Sequence, residues 1–341
     1  MIVRAGETLG EGYHHRPGEP HAEVEALRAA GARGADVRGA TMYVSLTPCN
    51  HHGRTGPCSD ALAEAGIGRV VIGARDPNPA AAGGLERLRA AGIAVEVVDD
   101  PAAQALIERF VYSLAAPLPF VTVKMAMSLD GAIAPRPGAA YALTGPLARE
   151  RVRDLRCEYD AVMVGAGTIR IDDAQLTVRP HRARRKPYRR VVACETDTVP
   201  RGSRVFASPE GAPPGAYAPT IVLAPAGIRE RFAALEPIAE VVAVGGADAR
   251  TLDLRAALCA LRERGMTTVL CEGGPTLAGR LLEERLVQRI IWFVAPRFLQ
   301  TPQAVPVLAG ADLTRAADGW RFDRVERVGE DMMVSARVGH V

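Results

Sequence analysis

Residues Pro48-Cys-Asn-His-His-Gly-Arg-Thr-Gly-Pro-Cys58 decide how the front of this chain folds, because of what lies on either side of them. Met42-Tyr-Val-Ser-Leu46 reads as a short buried strand, and Ser59 to Ala65 as a helix ended by Gly66. Further out, Arg69-Val-Val-Ile72 is the next strand, Leu85 to Ala91 a helix stopped by Gly92, and Ile93-Ala-Val-Glu-Val97 a third strand. Gln104 to Ser113 closes the series as a helix. Strands and helices alternating at this spacing predict a largely parallel sheet covered by helices. Cys49 then ends a strand and Cys58 opens a helix, with eight residues between them.

His21-Ala-Glu23 opens another predicted helix, directly after Pro20. Five of the seven histidines (His14, His15, His21, His51 and His52) fall in the first 52 residues, around the one close pair of cysteines. Soft thiolates and imidazoles gathered in this way point to zinc. His21, Cys49 and Cys58 supply three ligands and leave a fourth position open, the layout of a catalytic rather than a structural site. A metal held so brings the pKa of a bound water toward neutrality. Glu23 is not needed as a ligand and is free to carry that water's proton to a substrate. His-x-Glu followed by Pro-Cys is the signature of zinc deaminases, although there only two residues separate the cysteines. His21 alone reads as an ordinary histidine and Cys58 alone as a buried apolar residue, so the joint arrangement carries the reading. The other cysteines (Cys157, Cys194, Cys259 and Cys271) are scattered, which fits reduced thiols rather than a disulfide framework.

A length of 341 residues suits two domains. Lys and Arg number 42 against 39 Asp and Glu, and a net charge of +3 supplies no field that marks nucleic acid or a membrane surface as partner. No apolar run approaches the roughly 20 residues of a membrane helix. Met1-Ile-Val-Arg-Ala-Gly-Glu7 lacks the apolar stretch of a signal peptide, so a cytoplasmic location is expected. Ala115-Ala-Pro-Leu-Pro119 interrupts regular structure and divides the chain into 1–116 and 117–341. The second part restarts with the strand Phe120–Lys124. Helical patterns follow at Leu147–Arg156, Leu254–Glu263 and Thr276–Glu284. Strands are expected at Ala161–Val164, Arg190–Ala193, Thr220–Leu223, Val241–Val244, Val269–Cys271 and Arg289–Val294. The basic stretch from Arg179 to Arg190 is either a solvated loop or an arm for RNA or phosphate, and the near-neutral overall balance favours the loop.

Gly10-Glu-Gly-Tyr-His-His-Arg-Pro-Gly-Glu-Pro-His-Ala-Glu23 together with the Pro48–Cys58 stretch resembles the bifunctional riboflavin-biosynthesis deaminase/reductase family. The resemblance implies a cytidine-deaminase-like domain followed by a dihydrofolate-reductase-like domain, with zinc and NADPH as cofactors and a homo-oligomeric assembly. In that family the His and the basic residue of the long loop hold the substrate, which points to His51 and Arg54; an Arg beside an imidazole suits a ribose phosphate. Family members begin with a helix and an Asn-Pro turn, whereas this chain starts at Met1-Ile-Val-Arg4, inside the first strand. That suggests a recorded start placed too late, or an incomplete deaminase domain.

The second part carries the family's other motifs: Lys124-Met-Ala-Met-Ser-Leu-Asp-Gly131, Asp160-Ala-Val-Met-Val-Gly-Ala-Gly-Thr168, Asp172-Asp-Ala-Gln-Leu-Thr-Val-Arg179 and Glu272-Gly-Gly-Pro-Thr-Leu-Ala-Gly-Arg280. The last reads as a strand end, a glycine turn and a helix start, whose N–H groups suit a phosphate. By resemblance, Arg156, Leu176, Arg179 and Glu272 contact the substrate. Ala126, Thr168, Asp172 and the run Gly274, Pro275, Thr276, Leu277, Ala278, Gly279 and Arg280 contact NADPH. Arg156 read alone is a solvated cation at a helix end, and Asp172 a cap or turn residue. The family's Ser-x-Trp-Ile-Thr is Ala140-Tyr-Ala-Leu-Thr144 here, so Ala142 replaces an aromatic, and Tyr141 points the other way if this segment is a strand. The family's Asp-Asp-Pro becomes Asp172-Asp-Ala174, and an Asp after Arg-Val-Val-x becomes Cys194.

The expected activity is zinc-dependent hydrolytic deamination of a diamino-ribosylaminopyrimidinone 5′-phosphate, then NADPH-dependent reduction of its ribosyl group to ribityl. The rival readings are a deaminase with a degenerate reductase domain, a nucleic-acid deaminase using Arg179–Arg190, and a zinc-stabilised binding protein without turnover.

Overall fold

The computed structural model describes the whole chain except residues 17, 52–55, 80–81, 185, 196–197, 300, 316–317 and 340–341. It forms two compact units, Met1–Ala116 and Pro117–Val341. No helix among the described residues is long and apolar enough to cross a membrane.

The first unit runs β1 (Ile2–Arg4), β2 (Glu7–Gly10), α1 (Ala22–Ala32), β3 (Thr41–Leu46), α2 (Cys58–Glu64), β4 (Arg69–Ala74), α3 (Gly84–Ala90), β5 (Ala94–Val97) and α4 (Pro101–Ala115). Its sheet has the order β2-β1-β3-β4-β5. β3, β4 and β5 are parallel, as the alternating pattern predicts, and β1 pairs antiparallel with β2 and β3. Ile2, Met42, Val70 and Ile72 on the strands bury against Ala26, Ala30, Leu62 and Leu88 from the helices. α4 starts where Asp100 accepts a hydrogen bond from Ala103 N–H at 2.9 Å with Pro101 next in line, a favourable cap and first position.

The second unit continues with β6 (Phe120–Ser128), β7 (Ala132–Ala134), α5 (Pro146–Glu158), β8 (Ala161–Gly165), α6 (Ala166–Asp172), β9 (Arg189–Ala193), β10 (Thr220–Pro225), β11 (Ala239–Val244), α7 (Leu254–Glu263), β12 (Thr268–Cys271), α8 (Pro275–Glu283), β13 (Arg289–Ala295), β14 (Val305–Pro306), β15 (Trp320–Val328) and β16 (Asp331–Val338). Nine strands form one sheet in the order β11-β10-β9-β8-β12-β6-β13-β16-β15. The seven from β11 to β13 are parallel, and β16 and β15 add an antiparallel edge. Continuous apolar runs are what a strand buried on both faces needs. In β10, Ile221 and Leu223 enter one core layer while Val222 and Ala224 enter the other.

In both units most of the residues singled out for chemistry collect beyond the carboxyl ends of the parallel strands, Leu176 and Arg179 excepted. There the chain turns from strand to helix, which is where open parallel sheets hold their ligands.

Candidate active sites

In the first unit, β3 leads to Pro48 and Cys49. The Cys49 carbonyl accepts a hydrogen bond from Ser59 N–H at 3.1 Å, and the Ser59 hydroxyl donates to Asn50 Oδ1 at 2.8 Å, so the two ends of the long loop are pinned together. Two glycines permit close approaches here. A Cβ on Gly84 would stand 1.9 Å from the Pro48 carbonyl oxygen, and one on Gly12 would stand 2.5 Å from Ala26 N. The chain after β2 therefore lies against the first turns of α1. His14 comes beside His21, with ring centroids 5.1 Å apart, and its Nδ1 donates to the Pro20 carbonyl at 3.1 Å.

His21 is the residue before α1 and Cys58 the first of α2. His21 Nδ1 lies 3.5 Å from Cys49 Sγ and 3.3 Å from Cys58 Sγ, and one ligand atom from each of the three residues lies within 4.8 Å of the others. Hydrogen bonding from Cys58 draws the Cys49 thiol well down against the opposing effect of burial, while the donating Cys58 is pushed up. Glu23 is buried beside them, and desolvation raises its carboxyl above the usual range. Two sulfurs and an imidazole at this spacing are a soft donor set that fits zinc, with Glu23 beside the ligands rather than among them. His51 is exposed at the start of the loop, and Arg54 lies outside the described residues.

In the second unit a cavity of about 670 Å³ opens at the carboxyl ends of β6, β8, β9 and β12. One wall is the start of α8, where Gly274 precedes Pro275 at the first helical position and no side chain caps the end. The N–H groups of Thr276 and Leu277 have no partner within the helix by geometry, and both residues line the cavity. An uncapped helix start on a cavity wall fits a dinucleotide phosphate. At the inner end Arg156 grips Glu272 through Nε–Oε1 at 2.5 Å and Nη2–Oε2 at 2.9 Å, and Arg156 Nη1 donates to the Thr177 carbonyl at 2.7 Å. Lys124 Nζ lies 3.7 Å from Glu272 Oε2. All three side chains are largely buried. Burial alone would raise Glu272, but the two cations hold it below the ordinary glutamate value; burial and the neighbouring Arg156 push Lys124 down.

Residues 119–334 match the RibD C-terminal domain, and residues 1–74 match the cytidine and deoxycytidylate deaminase zinc-binding region. The riboflavin biosynthesis protein RibD of Aquifex aeolicus is 35% identical over 336 residues, spanning 98% of this chain and 90% of the relative. This chain belongs to the RibD family. RibD of Escherichia coli is also 35% identical, over 97% of this chain and 90% of its own. The crystal structure of the Thermotoga maritima diaminohydroxyphosphoribosylaminopyrimidine deaminase/5-amino-6-(5-phosphoribosylamino)uracil reductase aligns with a TM-score of 0.80 at 32% identity, covering 99% of this chain and 90% of that one. Acinetobacter baumannii RibD aligns at 0.76 and 31% identity, over 99% and 91%. The fold is a cytidine-deaminase-like unit followed by a RibD-type reductase domain, as the sequence motifs imply.

Within that RibD frame the expected site residues separate by place. Ala126, Thr168, Asp172, Glu272, Gly274, Pro275, Thr276, Leu277 and Arg280 all line the cavity. Ala278 and Gly279 turn to the opposite side of α8: Ala278 is core, and a Cβ on Gly279 would meet the Ala309 carbonyl at 2.8 Å. Arg156 stands behind Glu272 rather than on the wall. Leu176 is buried in the core layer with Val192 and Val222, and Arg179 is exposed.

Several residues escaped the sequence reading. Lys124 was read as the end of the strand Phe120–Lys124 and the start of a family motif, not as a site residue. Tyr141 lines the cavity together with Ala142, because residues 139–144 form no strand and the expected alternation does not apply. The basic stretch folds back on its own unit. Arg182 pairs with Asp154 at 2.5 Å, and Lys186 with Asp160 at 3.7 Å. Arg184 donates to the Tyr159 carbonyl, and Arg190 is buried against Tyr217 with its guanidinium pushed down to about 10 by burial.

Proposed function

We propose that this chain performs two consecutive steps of riboflavin biosynthesis, deaminating diaminohydroxyphosphoribosylaminopyrimidine and then reducing 5-amino-6-(5-phosphoribosylamino)uracil with NADPH. The observation that carries this is the coexistence, in one RibD-family chain, of the His21–Cys49–Cys58 cluster beside Glu23 and a formed cavity with an uncapped helix start. The order follows from chemistry, since a uracil is what removal of the pyrimidine amino group leaves.

His21, Cys49 and Cys58 would hold zinc, which when bound supplies an activated water. Glu23, buried beside the ligands but not one of them, takes the water's proton and returns it to the departing amine, so that ammonia leaves neutral. His51 and Arg54 hold the ribose phosphate from the long loop. In the reductase unit, NADPH supplies a hydride. The backbone N–H groups at the start of α8 would hold its phosphates, and Ala126, Thr168 and Asp172 would contact it. Reduction at the sugar's C1′ needs a proton on the oxygen released as the ring opens. Lys124 is the buried donor at the inner end of the cavity, held in place by Glu272, which Arg156 fixes from behind. Arg179 is assigned to the substrate phosphate. Residues 1–116 carry the first activity and 117–341 the second, in a cytoplasmic homo-oligomer.

Mass spectrometry of products from zinc-loaded protein, with and without NADPH, tests this reading. A ribityl product that appears only with NADPH is expected. A deaminated product that never goes further would leave the second unit a scaffold, and no product with either addition would overturn both assignments.

A further inference from the structure

The cavity of the reductase unit has two chemically different ends. Lys124 and Glu272 mark the inner end, where substrate and hydride must meet. Glu195, Leu252, Leu254 and Arg280 line the other. A dinucleotide whose nicotinamide faces the substrate and whose phosphates lie at the start of α8 carries its adenosine to this second end. Arg280 is the sixth residue of α8, about 7.5 Å along the axis from the first. That is within reach of the ribose that follows the pyrophosphate.

This end holds an ion pair rather than a lone cation. Arg280 pairs with Glu195 through Nη1, donates from Nη2 to the Leu252 carbonyl at 2.9 Å, and lies 3.2 Å from Glu284 Oε1. Glu195 in turn accepts the Leu252 N–H on Oε2 at 3.1 Å. The carboxylate beyond β9, the segment before α7 and the guanidinium on α8 are thus closed into one ring of hydrogen bonds. A carboxylate in such a place recognises a ribose 2′-hydroxyl, whereas a guanidinium recognises a 2′-phosphate. Here the two groups hold each other, and Glu284 adds a second negative charge against any incoming phosphate.

We propose that the Glu195–Arg280 pair sets the dinucleotide choice of this reductase, Glu195 receiving a 2′-hydroxyl and releasing Arg280 when a 2′-phosphate arrives. The site therefore accepts both NADPH and NADH. This rests on the reductase reading above and adds to it a specificity-determining pair. Neither dinucleotide meets an empty pocket: the phosphate must displace a carboxylate, and the hydroxyl finds its acceptor already in place.

Calorimetric titration of the full-length protein with NADP+ and with NAD+ tests the proposal without turnover. The two affinities in the wild type should lie within about tenfold of each other. Glu195→Gln keeps an acceptor for the Leu252 N–H but removes the charge, so the preference for NADP+ should rise by about tenfold or more, the scale of one charge-assisted hydrogen bond. Arg280→Gln should move the ratio the other way, with thermal unfolding showing both variants folded. A wild type favouring NADP+ by more than about a hundredfold, or a ratio that Glu195→Gln leaves in place, overturns the proposal while the reductase reading stands. Failure of both dinucleotides to bind overturns the two together.

Discussion

The two units place their chemistry at the same point of the fold, beyond the carboxyl ends of parallel strands, yet they build it differently. In the first unit three side chains of restricted type, His21, Cys49 and Cys58, converge within 4.8 Å, and two close backbone approaches at Gly12 and Gly84 bring their loops together. In the second, many of the lining residues are small; Lys124 and Glu272, the latter gripped by Arg156 from behind, mark the inner end, and the Glu195–Arg280 pair marks the other. Metal chemistry leaves almost no freedom in residue type. A helix start offers N–H groups whatever side chains it carries. The first kind of site is brittle to substitution, and the second is expected to tolerate more.

The largest effect that would break this contrast lies in the metal cluster. Cys58→Ser should abolish bound zinc, measured by metal analysis, and with it deamination, while leaving reduction of supplied aminouracil substrate in place. Glu23→Gln should keep the zinc and lower deamination by about 10²- to 10⁴-fold, the usual worth of a general acid–base. A Glu23→Gln protein that loses its metal would make Glu23 a ligand and sink the distinction drawn here.

The brittle site is also the legible one. His21-x-Glu23, Pro48-Cys49 and Cys58 declare themselves because few residue types bind zinc, and the strand and helix beside them follow the simple alternation of a parallel sheet. The apolar runs of the second unit were equally readable, since strands buried on both faces admit little else. What stayed hidden had weaker physical signatures. The β15–β16 hairpin passed unread because the register shift between Phe322 and Arg324 breaks the period of two in a strand rich in exposed charge. Lys124 looked like an end-of-strand charge until its partner 148 positions away, Glu272, came beside it. Glu195 carries no local pattern, because its meaning depends on Arg280. Serine and aspartate in Ser128-Leu-Asp130, part of a family motif, turn out to brace a turn: Ser128 Oγ bonds Asp130 at 2.5 Å, and Asp130 accepts the Leu299 N–H at 3.1 Å.

The buried triad provides the next test, smaller than loss of zinc but large for stability. Glu272→Gln leaves two buried cations without their counter-charge and should cost about 3–5 kcal/mol in urea unfolding of the second unit. The effect has a definite pH sign. Glu272 sits below its ordinary value of 4.5 in the folded chain, so the unfolded chain takes up the proton first. Its stabilisation is complete at neutral pH, above that ordinary value, and is lost as pH falls through the lower folded value. The gap between wild type and Glu272→Gln should therefore narrow on acidification. A gap that stays constant from neutral pH into the acid range would show that the triad is not the source of the difference.

Tyr141 sets the smallest expected effect and asks how far the second site tolerates exchange. It is the one aromatic among the described residues lining the cavity, in a unit that must hold two flat heterocycles. Ala142 occupies the neighbouring wall position, and with no strand over 139–144 nothing obliges adjacent side chains to face opposite ways. An aromatic displaced by one position in an irregular segment still reaches the same space. Tyr141→Ala should then remove stacking worth about 0.5–1.5 kcal/mol, which appears as a rise of roughly two- to tenfold in KM. Tyr141→Phe should retain wild-type behaviour, since the ring and not the hydroxyl is used. Equal kinetics for Tyr141→Ala and wild type would mean that backbone and small residues alone hold the heterocycles, sharpening the contrast with the zinc cluster to its limit.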